Sequence, residues 1–131
     1  MSDKPKPGKD KDLRFIKSAI EDADEVYRLF ASELINEQSP GVIELISEGM
    51  LLIIEQYDEL NQMLDDVALT PTRVLDHNRC LRDLLKLMIK ERLSPLGRVT
   101  AASIIQVLGN QLRSLMVTKE IRGIEGEICT N

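Results

Sequence analysis

Tryptophan is absent from this 131-residue chain, and phenylalanine and tyrosine number only two each. A core built without large rings must be filled by Leu, Ile, Val and Met, which together with few glycines favours helix over sheet. Histidine occurs once, at His77, and cysteine twice, at Cys80 and Cys129. A zinc site needs three or four protein ligands, so this inventory supplies no metal centre, although His77 and Cys80 stand three residues apart. The two distant cysteines are read as reduced thiols.

Long apolar runs are lacking too. The longest notable stretch, Met50-Leu51-Leu52-Ile53-Ile54, is followed at once by Glu55, far short of the roughly 18 residues of a membrane span. The lysine-rich start has no apolar segment behind it, so no signal peptide is read, and a cytoplasmic protein is the expectation. There is no Gly-rich phosphate loop, nucleophile elbow or CxxC pair. The carboxylates of the first half have no Glu-x-x-His partner for a di-metal bundle. The expectation is a protein without catalytic residues, cofactor or metal.

What is present is helical spacing between clear punctuation marks. Residues 1–11, with Pro5, Pro7, Gly8 and alternating charge, read as a solvated tail. Ser39-Pro40, Thr70-Pro71 and Ser94-Pro95 then divide the chain. A hydroxyl residue caps orphan amides, and proline at the first helical position loses no hydrogen bond, so each pair is read as a helix start, with a kink as the competing reading.

Between these marks, Leu13, Ile16, Ile20, Ala23, Tyr27, Phe30 and Leu34 step by three and four. So do Ile46, Met50, Ile53, Tyr57, Leu60 and Leu64, a candidate core or oligomer seam. Val74, Leu81, Leu84, Leu85 and Met88 mark a third helix, and Ala101, Ile104, Leu108, Leu112 and Leu115 a fourth. The expected fold is all-α: four long helices in an elongated antiparallel bundle over residues 12–123, with a loose tail over 124–131. Lys119 and Arg122 suit the negative end of the last helix near Gly123. Leu51, Leu52 and Ile54 make the second helix apolar nearly all round, so an oligomer, or a partner helix on that face, is expected. Gly49 and Gly109, each mid-helix, suggest close helix approach.

Charge is unevenly divided. The net charge is −5, yet residues 12–66 hold fourteen acidic against three basic residues, whereas residues 69–100 hold seven basic against three acidic. Arg79, Arg82, Lys86 and Lys90 share one face of the third helix, with Arg73 and Arg98 at its ends. Such a row can meet phosphates. It can equally pair with the acidic first half, inside the bundle or between subunits, and no aromatic residue sits on it to stack a base.

The segment Asn78 to Arg98 resembles the C-terminal signature of a family of tailed-phage terminase small subunits. That signature is an Asn opening a Leu- and Arg-rich helix that ends in a Leu-(Ser/Thr)-Pro-x-x-Arg turn. Asn78, Leu81, Leu84 and Leu85 fit the helix, and Leu93, Ser94, Pro95 and Arg98 fit the turn. Upstream, a Lys/Pro tail, a helix through Val26 to Leu34 and a longer helix through Tyr57 are similar in layout. The chain departs from the pattern at Arg79, where the family usually has Pro, and in continuing past the turn to Asn131. The resemblance implies a non-enzymatic, ring-forming subunit that binds double-stranded viral DNA and passes it to a large terminase subunit. Arg73, Arg79, Arg82, Lys86, Lys90 and Arg98 would then be its DNA contacts. The alternative is a helical adaptor or chaperone, dimeric or larger, with no nucleic-acid role.

Overall fold

The computed structural model describes residues 7–91 and 93–130, and the side chains of 12–91 and 93–122. The described chain is four helices: α1 (Pro7–Asn36), α2 (Pro40–Asp65), α3 (Thr72–Lys90) and α4 (Pro95–Thr130). No strand occurs among the described residues. No helix among them is long and apolar enough to cross a membrane.

All three hydroxyl–proline pairs fall at turns rather than kinks. Pro40 and Pro95 begin α2 and α4, and the Ser94 hydroxyl accepts the Gly97 amide at 3.0 Å, a side-chain cap for α4. Ser39 makes no such bond, and at the third pair the helix begins one residue later, at Thr72.

Both ends of the helical region extend beyond the sequence expectation. Helix α1 begins at Pro7, inside the segment read as a tail, since proline costs nothing at the first helical position. Helix α4 continues to Thr130 instead of stopping near Gly123. Gly123 and Gly126 each cost about 1 kcal/mol of helix propensity, but neither blocks the helical ladder as proline would. The side chains of residues 123–130, with Cys129, and residues 1–6 lie outside the described set.

Helix α1 packs against α2 and α4, and α3 packs against the same two. Their registry is visible in individual contacts. Along α1 and α4, Asp12 meets Arg122, Ala19 meets Gln111, and Glu33 lies beside Gly97, so the two helices run in opposite directions. Between α2 and α3, Gln56 meets Val74 and Gly41 lies near Glu91, again in opposite sense.

The core is aliphatic, with Phe30 the largest fully buried side chain. Ile46, Ile53 and Leu60 of the α2 seam are fully buried within the single chain, Met50 and Leu64 are partly buried, and Tyr57 is 41% exposed. The seam is therefore largely filled by the chain's own helices. The large apolar side chains that α2 leaves outside are Leu51, Ile54 and Tyr57.

A polar layer crosses this core. Gln56 Nε2 donates to the Val74 carbonyl and to Gln111 Oε1, both at 3.0 Å. Gln111 Nε2 donates back to Gln56 Oε1 at 2.9 Å and to the Ala19 carbonyl at 3.0 Å. Asn78 Nδ2 donates to the Leu108 carbonyl and to Gln111 Oε1, at 3.0 and 2.8 Å. Gln56, Asn78 and Gln111 are all fully buried, and every amide hydrogen among them has an acceptor. Burial of three amides is tolerable only on that condition, because an unpaired one costs about 1–3 kcal/mol. The layer ties all four helices to one register.

Candidate nucleic-acid interface

Helix α3 turns Val74, Asn78, Leu81, Leu85 and Met88 inward. The 3.6-residue period then sends Arg79, Lys86 and Lys90 to the exposed side. Arg82 sits at the border, half-buried, where its Nε donates to Asn78 Oδ1 at 2.9 Å. Asn78 is itself held by Gln111 and the Leu108 carbonyl, so the core layer fixes the Arg82 guanidinium from beneath. This is positioning at a distance: an amide in the core sets the direction of a cation at the surface.

Beside the row, α3 and α4 enclose an open groove of about 620 Å³ whose walls include Arg73, Arg79, Arg82, Leu112, Met116 and Lys119. Three of the six sequence candidates thus meet in one place. Lys86 and Lys90 continue the row along α3, and Arg98 is exposed near the start of α4 without lining the groove. Lys119, which the sequence suits to a helix terminus, stands on the stripe Leu112, Met116, Lys119, and that spacing is the signal that links it to the groove.

The acidic half neutralises little of this row. Among the described residues, Arg73 reaches Glu59 of α2 at 3.8 Å, with the Arg73 side chain 76% exposed. Arg79 pairs with Asp76 and Lys86 approaches Asp83 at 3.8 Å, both within α3 and both exposed. Exposed pairs of this kind contribute about 0–1 kcal/mol and exchange readily with other anions.

His77 points toward α2, with Nε2 3.5 Å from Glu55, while its buried Nδ1 has no hydrogen-bond partner among the described residues. Among the described residues no three His, Cys, Asp or Glu side chains come together in a way that could hold a metal ion.

The residues of the Asn78–Arg98 signature have physical roles in this fold. Asn78 builds the polar layer, Leu81, Leu84, Leu85 and Leu93 are buried, and Ser94 caps α4. Arg98 is exposed, its amide donating to the Ser94 carbonyl at 3.0 Å and its side chain making no hydrogen bond or ion pair among the described residues.

Sequence reasoning missed two charged features. Arg122, expected near the end of its own helix, instead closes the C-terminal end of α2. Its guanidinium donates to the carbonyls of Met63, Asp66 and Leu69 at 2.8–3.1 Å and pairs with buried Asp12. At the other end of the bundle, Glu33 is 2% exposed and lies with Glu37 against the first turn of α4. Burial, the Glu37 hydrogen bond and the Glu37 charge raise the Glu33 pKa above its ordinary 4.5, against a lowering contribution from Thr100.

Comparison of the chain with protein-family models, curated proteins and solved structures gave no match.

Proposed function

We propose that the protein is a non-enzymatic, oligomeric DNA-binding subunit, similar to the terminase small subunits that recognise viral DNA for packaging. The observation that carries the reading is the cation row of α3, exposed Arg79, Lys86 and Lys90 with half-buried Arg82, which the acidic half of the chain leaves open. An elongated antiparallel bundle presents such a row as a straight edge, and Lys119 across the groove widens it. Arg73 and Arg98 extend the row at its ends. Exposed Leu51 and Ile54 on α2 support assembly into an oligomer.

The test is binding of a fluorescent DNA duplex as salt is varied. Each phosphate contact contributes about −0.9 to the slope of log affinity against log salt. Arg79→Glu with Lys86→Glu is expected to weaken binding and reduce that slope by about 2. Arg82 is left intact because its substitution would disturb Asn78. No duplex affinity at low salt sinks the reading.

A second reading, a helical adaptor with no nucleic-acid role, is favoured by a different feature. Leu45, Leu51 and Leu52 of α2 and Leu84 and Leu87 of α3 form an apolar groove whose walls carry no Lys or Arg among the described residues.

A further inference from the structure

Between α2 and α3 lies an open groove of about 480 Å³. Leu45 and Leu52 of α2, half-buried, and Leu84 of α3, buried, form its inner surface. Leu51 and Leu87 stand at its edges, 62% and 53% exposed. The apolar residues recur at helical spacing on both walls. Leu45 and Leu52 are seven apart, and Cys80, Leu84 and Leu87 are four and three apart. Two parallel ridges with a furrow between them are the surface into which a third helix packs its own ridge.

The rim has one sign of charge. Glu48, Glu55 and Asp83 line the groove, and among the described residues its walls carry no Lys or Arg. All three carboxylates are exposed. Asp83 approaches Lys86, which does not line the groove, and Glu55 faces His77. An apolar furrow between carboxylates selects against an acidic or neutral-flanked helix, because docking such a helix would strip water from the rim charges without returning a counterion.

We propose that the α2–α3 groove binds a basic amphipathic helix of a partner protein, its leucine-like residues seated between Leu51 and Leu87 and its Lys or Arg flanks against Glu48, Glu55 and Asp83. The proposal rests on the adaptor reading for this groove and adds the chemistry of the partner. The groove's α3 wall adjoins the cation row, since Asp83 of the groove approaches Lys86 of the row, and its Leu51 edge is the surface that oligomer assembly would otherwise use.

The probe is a synthetic helical peptide of Leu, Lys and Ala, about 18 residues long so that it spans roughly 27 Å, with leucines on one face and lysines flanking them. Its twin carries Glu in place of every Lys. Both are titrated calorimetrically into the full-length protein. The Lys peptide is expected to saturate at one site per chain and to bind at least about tenfold more tightly than its twin. It should also protect Cys80, which lines the groove, from alkylation by iodoacetamide. Leu51→Ser with Leu87→Ser, both exposed and so tolerable to the fold, should cost at least about tenfold in affinity. Glu48→Lys with Glu55→Lys should reverse the preference toward the Glu twin.

Undiminished binding of the Lys peptide to the Leu51→Ser/Leu87→Ser variant would mean simple attraction to an acidic protein and would overturn the proposal. Equal binding of both peptides would overturn the partner chemistry while leaving the adaptor reading in place. No binding of either peptide would remove both. A parent dimer in light scattering that the double Ser variant converts to monomer would assign the groove to a second copy instead.

Discussion

Gly49 and Gly109 occupy helix interiors and carry the same intrinsic cost, about 1 kcal/mol relative to alanine, but their surroundings differ. A Cβ at Gly49 would come within 2.7 Å of Cζ of the fully buried Phe30 ring, whereas a Cβ at Gly109 meets nothing within 4 Å. Gly49 is therefore the condition for α1 and α2 to approach with Phe30 between them, and Gly109 has no comparable packing reason. Gly49→Ala is expected to destabilise by about 1–3 kcal/mol through overpacking. Gly109→Ala should stabilise by up to about 1 kcal/mol, a rise of about 4 °C in melting temperature. Thermal melts of the two variants decide it; equal shifts would remove the distinction. Sequence spacing suggested close approach at both glycines, and only the position of Phe30 separates them.

Helix α2 ends where three carbonyls, Met63, Asp66 and Leu69, converge on one guanidinium from α4, with Asp12 of α1 behind it. The Asp66 carboxylate also accepts the Ala68 amide, tightening the turn into α3. The end of one helix is thus closed by residues from two others. Arg122 and Asp12 are both nearly fully buried, so removing one partner leaves the other charge in a poor solvent. Arg122→Met should cost about 3–5 kcal/mol in urea unfolding, and adding Asp12→Leu should recover much of that loss. If the double variant is no more stable than the single one, the ion pair is not the source of the effect. The cation was legible in the sequence; its destination was not, because a C-terminal cation is ordinarily assigned to its own helix.

Two carboxyls contribute stability that is lost as pH rises out of the acid range. Burial, then the charges of Glu25 and Glu21, raise the Asp22 pKa from its ordinary 3.8 to about 6. Glu33 is raised as well, by burial and by Glu37. A carboxyl held protonated by the fold contributes stability that is fully present below its unfolded-state pKa and lost as pH climbs through the folded-state value. For Asp22 that window runs from 3.8 to about 6, moderated by its partial exposure to solvent. Asp22→Asn and Glu33→Gln should each melt higher than the parent at pH 7, with the advantage shrinking at pH 3.5. A constant difference at the two pH values would show that neither carboxyl is the cause.

The amino-acid sequence by itself determined the number of helices, the three turns, the inward face of α3, part of that of α1, and the separation of acidic from basic halves. These follow from local rules: a 3.6-residue period, the fixed φ of proline, and the count of charges along the chain. Only the tertiary structure decided that Gln56 and Gln111 are core residues and that Arg122 serves α2. Those outcomes depend on partners far away in the chain, 92 residues between Ala19 and Gln111 and 110 between Asp12 and Arg122. A buried glutamine and a surface glutamine look alike until the acceptors that satisfy them are in place.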